Sequence, residues 1–316
     1  MATLTAFWSA LSIPSGASCV GERGTNMRLE WLRRALAVMG CCVVFAGVSA
    51  CGGGGGGGGG GVPILPPTAG PVPQQPAPAP TPTDRVVSES IQSGFTGAPY
   101  PLSVYLPAGY DQGTDAYPVI YALDGDAVNG LPQTRFANLK DILVKRGTKA
   151  ILVGIGNTGR RQEDYNFPGA FKYHDFLAKE LIPFIDSKYR TNPKNRMLTG
   201  LSTSGNLAAT ALFLEAPDNL VFSSFVSIEG AFWQQEAQNN DLEQKMFDAL
   251  AGRPLPVTLI LASCISSCNQ QYVKQLYQRM AARGYVGLQL LHTEFNATHV
   301  GADVLAFEDA VVRIYK

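Results

Sequence analysis

The sequence predicts an α/β domain: a mostly parallel central sheet flanked by helices and entered through antiparallel strands. Two observations carry this. After Pro118, short continuous apolar runs alternate with amphipathic stretches of helical spacing. That is the texture of strands buried on both faces, with helices laid over them. Before Pro118 the pattern is different: Val87, Ile91 and Phe95, then Leu102-Ser103-Val104-Tyr105-Leu106, alternate as half-buried antiparallel strands do.

The apolar runs are Val119–Leu123, Ala150–Ile155, Arg196–Thr199, Val221–Ile228, Val257–Ala262 and Gly287–Leu291. Helical spacing predicts helices over 134–145, 173–187, 204–215, 240–251, 270–283 and 302–315. In the second of these, Leu177, Leu181 and Ile185 form an i, i+4 stripe, and Pro183 is expected to kink it. In a doubly wound sheet, functional groups gather at the carboxyl ends of the strands.

The chain has 316 residues, with 25 basic and 25 acidic side chains. No basic run interleaves with aromatics, so nucleic acid is not an expected partner. The first part of the chain reads as address rather than fold. Residues 1–26 look like an upstream extension. Arg28, Arg33 and Arg34 precede an apolar stretch from Ala35 to Val48, followed by the small residues Ser49 and Ala50. This is the layout of a secretory signal peptide, and the stretch falls short of the roughly 20 residues a membrane span needs. Val48-Ser49-Ala50-Cys51 resembles the bacterial lipobox. By that resemblance, cleavage falls before Cys51, whose sulfur carries a diacylglycerol; the alternative is an uncleaved anchor. Gly52 to Gly61 is an unbroken glycine run, and Val62 to Thr83 is rich in proline and alanine. Such segments bury too little apolar surface to offset their ordering entropy. The expected organisation is therefore 1–50 extension and signal peptide, 51–84 lipidated cysteine and linker, and 85–316 folded domain. The expected location is the cell envelope, as an outer-membrane lipoprotein touching the membrane only through its lipid.

The most informative stretch is Arg196-Met197-Leu198-Thr199-Gly200-Leu201-Ser202-Thr203-Ser204-Gly205. A strand runs through a tight turn directly into a helix. A nucleophile elbow needs this arrangement, with small residues around the serine because strand and helix pack closely there. The pattern is G-x-S-x-S-G, so Ser204 stands where a second glycine is expected and adds a Cβ and a hydroxyl at a crowded point. A Ser/Thr-rich helix cap is the bland alternative.

Several ordered segments resemble one family. They include Val104-Tyr105-Leu106-Pro107-Ala108-Gly109-Tyr110, Tyr117-Pro118-Val119-Ile120-Tyr121-Ala122-Leu123-Asp124-Gly125 and Ile151-Leu152-Val153-Gly154-Ile155-Gly156-Asn157. Asp164-Tyr165 follows. The longest runs from Phe176-Leu177 through Glu180-Leu181-Ile182-Pro183-Phe184-Ile185-Asp186 to Tyr189-Arg190-Thr191, leading into the Ser202 turn. Together they resemble the enterochelin-esterase and esterase-D-like group of α/β hydrolases over roughly Val86 to Tyr315. The resemblance implies an α/β-hydrolase fold and serine ester hydrolysis. It implies as substrates cyclic siderophore esters, feruloyl or acetyl groups on polysaccharides, or small acyl esters. No cofactor follows from it, and with three histidines and neither a CxxC nor an HExxH motif no metal is expected.

The base should follow nucleophile and acid in the chain. His174 precedes Ser202, and His292 falls inside a strand. His299 lies in the loop after the last strand, where the resemblance places the catalytic histidine. The acid is the difficulty. It usually follows the penultimate strand, but no Asp or Glu occurs from Pro254 to Thr293. Three readings stay open: Glu229, at the end of the preceding strand, completes the triad; Ser202 and His299 act as a dyad; or the chain is a weak or inactive relative that binds through the old cleft. Cys264 and Cys268 bracket the loop where the acid is missing, and an exported location permits a disulfide between them. Acyl transfer also needs two N–H donors for the oxyanion. These are expected from Thr203, after the nucleophile, and from Asp126, in the Asp124-Gly125-Asp126 turn. The segment Gly156–Tyr173, with Arg160, Arg161, Asp164 and Tyr165, should form a pocket wall, with Phe232 and Trp233 nearby.

Overall fold

The computed structural model describes residues 83–315, apart from Cys268. The leader, Cys51 and the glycine- and proline-rich stretch up to residue 82 lie outside the described residues. The described chain forms an eight-stranded sheet in the order β1-β2-β4-β3-β5-β6-β7-β8. Strands β1 (Arg85–Gln92) and β2 (Pro99–Leu106) pair antiparallel, and β2 runs antiparallel to β4 (Ile151–Ile155). From there the sheet is parallel: β3 (Tyr117–Ala122), β5 (Thr191–Leu201), β6 (Ser224–Ile228), β7 (Thr258–Cys264) and β8 (Gln289–Phe295). This is the α/β-hydrolase arrangement with antiparallel strands at its N-terminal edge.

Alternate side chains along each strand serve opposite faces, so two apolar layers form. On one face Ile120, Leu152, Met197, Val226 and Ile260 meet Leu139 and Leu143 of α1 (Arg135–Arg146) and Ala306 and Ala310 of α8 (Gly301–Ile314). On the other, Tyr121, Val153, Leu198, Phe225 and Leu259 meet the remaining long helices. Those are α3 (Gly169–Phe176), α4 (Ile182–Lys188), α5 (Thr203–Glu215), α6 (Glu236–Leu250) and α7 (Gln270–Arg283). A short α2 (Arg161–Tyr165) precedes α3. Helix α5 is buried nearly all round, as its apolar composition on every side requires.

The helix expected over 173–187 is longer and is not simply kinked at Pro183. Leu177–Leu181 forms a π-helical turn between α3 and α4. Proline lacks an N–H and its ring crowds the carbonyl four residues back. The extra residue in the turn just before Pro183 takes up that conflict within a continuous helical run. Helix α6 begins at Glu236, earlier than its apolar spacing suggests, because its first turn is polar.

One buried ion pair ties α1 and α8, which share a face, to the site's edge. Arg135, the first residue of α1, makes two 2.8 Å bonds to the Asp303 carboxylate in the first turn of α8. It also donates to the Leu123 carbonyl at the end of β3 at 2.8 Å. Both side chains are nearly fully buried, at 1% and 5% exposure. Removing one partner strands a buried charge, which costs about 3–5 kcal/mol, whereas replacing both by apolar groups is far less damaging. Arg135→Ala should therefore lower the thermal midpoint by roughly 10 °C. The double change Arg135→Met with Asp303→Leu should recover most of it, as read by differential scanning calorimetry. A single variant as stable as the parent would show that the pair is not what holds α8 in place.

Candidate active site

Ser202 alone turns the chain from β5 into α5. Its backbone sits at φ 64, ψ −118, a conformation that costs a non-glycine residue on the order of 1–3 kcal/mol. The surroundings enforce it. Ser202 N–H donates to the Ile228 carbonyl at 2.9 Å, and its own carbonyl accepts from Asn206 N–H at 2.9 Å and Ala231 N–H at 3.0 Å. Strand and helix approach so closely that a Cβ on Gly200 would overlap the Ser204 carbonyl, and one on Gly205 would come 2.5 Å from the Ile228 carbonyl oxygen. The glycines at 200 and 205 are thus the sterically required ones. Ser204 fits because its buried hydroxyl is satisfied locally: it donates to the Leu201 carbonyl and accepts from the Leu201 N–H, both at 2.9 Å.

Glu229 follows β6, the strand beside β5, with φ 49. It is fully buried and every part of it is fixed. Its N–H donates to the Ala262 carbonyl at 2.7 Å, and its carbonyl accepts from Asn269 Nδ2 at 2.8 Å. Oε1 accepts from the Cys264 N–H at 2.7 Å and from Ser267 Oγ at 2.8 Å. Oε2 lies 2.8 Å from His299 Nδ1. Burial resists ionisation of this carboxyl, but the His299, Cys264 and Ser267 bonds outweigh it and hold the pKa below the usual 4.5.

His299 lies in the loop between β8 and α8, its side chain 40% exposed. The other histidines are engaged elsewhere. His174 Nε2 is 3.0 Å from the buried Glu215 at the far end of α5, and His292 stacks on Tyr277. The loop of Glu229 meets the elbow through the Ala231–Ser202 bond, and Glu229 meets His299 through Nδ1. The remaining ring nitrogen, Nε2, and Ser202 Oγ make no hydrogen bond to each other; such contacts commonly tighten only in the substrate complex.

The Asp124-Gly125-Asp126 turn closes β3 at the same edge of the sheet. Gly125 packs against β4, where a Cβ would stand 2.7 Å from the Gly154 backbone. The Gly125 N–H is spent on the Ile155 carbonyl at 2.7 Å and the Ala127 N–H on the Asp124 carbonyl at 3.0 Å. The Asp126 N–H between them has no acceptor among the described residues. Thr203, as the first residue of α5, has no intrahelical acceptor for its own N–H.

Arg161 bridges the two turns, reaching Asp124 Oδ2 at 2.9 Å and the Leu201 carbonyl at 3.2 Å. Of the other charges of that wall, Asp164 is buried: it accepts from Tyr100 OH at 2.8 Å and pairs with the partly exposed Arg160 at 3.0 Å. Phe232 is core, whereas Trp233 is half-exposed and donates to Asn269 Oδ1 at 2.8 Å.

The expected disulfide is not formed: Cys264 is a free, buried thiol. It ends β7 inside the apolar layer under α1 and α8. Burial, with the Glu229 carboxylate next, pushes the thiol up to about 12, which suppresses the thiolate that disulfide exchange needs. Cys268 lies outside the described residues. The sequence reading also missed the Ser267 and Cys264 donors to Glu229. Only the density of hydroxyl and amide side chains between Ser263 and Gln270 hinted at them.

With this geometry in hand, comparison with known proteins is decisive on family. The profile of the family described as "Putative esterase" matches residues 93–260, which carry the elbow, Glu229 and the Asp126 turn. The chain belongs to this esterase family. Its fold is of the α/β-hydrolase type. The uncharacterized protein YbbA of Bacillus subtilis (strain 168) is 24% identical over 156 residues, 43% of this chain and 58% of its own length. The match thus spans little more than half of that relative. Solved structures share the fold. An IroE-like serine hydrolase from Shewanella oneidensis aligns with TM-score 0.63 at 24% identity, over 73% of this chain and 80% of its own. The BES protein from Bacillus cereus aligns at 0.61 and 18%, over 78% and 100%. The siderophore hydrolase EstA from Aspergillus nidulans aligns at 0.58 and 18%, over 77% and 96%.

The lowered pKa of Glu229 has a signed consequence. A carboxyl depressed in the native state stabilises the fold above its unfolded pKa, and the contribution is lost as pH falls through the native value. The stability gap between the parent and Glu229→Gln, measured by urea unfolding, should be largest near about pH 7 and shrink below about pH 4. A gap that stays constant over that range would mean that Glu229 is not held as an anion.

Proposed function

We propose that the protein is a serine carboxylic-ester hydrolase acting through an acyl-enzyme. Ser202 Oγ attacks the ester carbonyl while His299 Nε2 takes its proton, and Glu229 holds the ring by Nδ1 and offsets the charge it gains. The N–H groups of Thr203 and Asp126 receive the developing oxyanion. Collapse of the tetrahedral species expels the alcohol, which takes the proton back from His299. Water, deprotonated by the same nitrogen, then releases the acid and restores Ser202. This sequence needs no cofactor.

The observation that carries the reading is the 2.8 Å bond from His299 Nδ1 to a fully buried carboxylate whose loop is bonded to the elbow. A proton held on Nδ1 leaves Nε2 as the lone-pair nitrogen, the tautomer a general base requires. The substrate is a small-molecule ester or an ester carried on a polysaccharide. Proteins of similar fold are named siderophore hydrolase and ferulic acid esterase, which is consistent with that range.

A fluorophosphonate probe should label the protein, with labelling lost in Ser202→Ala. Glu229→Gln should retain folding but lower kcat on a short p-nitrophenyl ester about a thousandfold or more. Absence of labelling in the parent would favour instead a binding protein that keeps the fold without the chemistry.

The sequence from Arg28 to Cys51 further supports export and lipidation at Cys51. Cells fed an alkyne-tagged palmitate should yield tagged protein from the parent and none from Cys51→Ala; equal tagging of both would remove the anchor from the proposal.

A further inference from the structure

The Asp126 side chain does something the esterase reading leaves unassigned. Its N–H is an unspent donor in a turn whose neighbouring N–H groups are both committed. Its carboxylate points into the loop that follows β4. Oδ2 accepts from the Asn157 N–H at 2.8 Å, Oδ1 from the Thr158 N–H at 3.2 Å, and Oδ1 also takes the Thr158 hydroxyl. The loop is shaped to receive it. Asn157 adopts φ 77, and at Gly156 a Cβ would come 3.3 Å from the Asp126 Cγ. The same loop runs through a short turn, Thr158–Arg160, into α2, whose Arg161 reaches back to Asp124 and to the Leu201 carbonyl beside Ser202. Residues 124 and 126 are thus both moored to this one segment, and through it to the elbow.

A carboxylate is an odd choice at this position. Its negative charge stands one residue's width from where an oxyanion must form, and it works against that charge. The chemistry of the contact explains it. Three donors converge on two oxygens, which an ionised carboxylate can serve and a carboxamide cannot, because its NH2 would face a donor. Charge-assisted bonds of this kind are also the stronger ones.

We propose that the Asp126 carboxylate is a positioning residue: by clamping the Asn157-Thr158 backbone, it fixes the direction of the Asp126 N–H at the oxyanion position. The inference rests on the serine-esterase reading. Loss of one oxyanion donor costs about 10²–10³ in kcat, so letting a donor drift should cost about 10–100-fold.

The test uses Asp126→Ala and Asp126→Asn in the full chain, with a short p-nitrophenyl ester and a trifluoromethyl ketone. The ketone adds Ser202 Oγ to give a tetrahedral oxyanion, so its affinity reports the hole itself. Asp126→Ala should lose about 10–100-fold in kcat with KM changed less than about twofold, and its inhibition constant for the ketone should rise by the same factor as kcat/KM falls. Asp126→Asn, which keeps one acceptor oxygen, should fall between, and it decides the matter if the alanine variant does not fold. Wild-type kcat in either folded variant would overturn the inference. So would a loss of kcat with no change in ketone affinity, or a rise in KM alone. A parent that resists both the ketone and the fluorophosphonate would instead sink the esterase reading, and this inference with it.

Discussion

The site depends on how closely β5, α5 and β6 approach one another at the elbow. Gly200 and Gly205 have no room for a Cβ, so the strand must end and the helix must begin within one residue. That residue, Ser202, carries the backbone strain. Strain of this kind persists only where the surroundings over-determine it. Here the restraints are three backbone bonds to Ile228, Asn206 and Ala231, two of them from the β6 side. Holding the serine in place therefore also draws in the segment carrying Glu229. Ser202 and Glu229 are set by one packing event.

The position of Glu229 after β6 bears on what its neighbours must be. The end of β7 and the loop after it hold no carboxylate and instead deliver donors: Asn269 Nδ2 binds the Glu229 backbone carbonyl, and the Cys264 N–H and Ser267 Oγ bind its carboxylate. A carboxylate needs such donors when it is fully buried, since an unpaired buried charge is costly. The absence of Asp and Glu between Pro254 and Thr293 thus belongs with the placement of Glu229 after β6. A second carboxylate in that loop would face the first at close range and raise its pKa.

Much of this was legible in the sequence, because the signals were local. Continuous apolar runs mark strands covered on both faces. The run of α7 from Gln270 to Arg283 follows its apolar spacing from end to end. The glycine before Ser202 and the glycine in the 124–126 turn mark backbone that must come close. What was not legible is long-range. Arg135 and Asp303 look like ordinary surface charges until α1 and α8 are laid side by side. The hydroxyl of Ser204 looks like an intrusion until the Leu201 backbone is seen to satisfy it. The paired cysteines suggested a staple because spacing cannot reveal that Cys264 faces the core beside a carboxylate.

Ser202, Glu229 and His299 differ in how rigidly they are held. Ser202 is fixed by its backbone, and Glu229 by burial and by bonds to both carboxylate oxygens. His299 is neither: it sits in a loop with 40% of its side chain exposed, and its one described hydrogen-bonding partner is Glu229. No other group among the described residues bonds the ring to set its tautomer and orientation. Glu229 is therefore the fixed reference from which the His299 ring is hung. That fits its complete burial, because a carboxylate screened by water would orient an exposed ring only weakly.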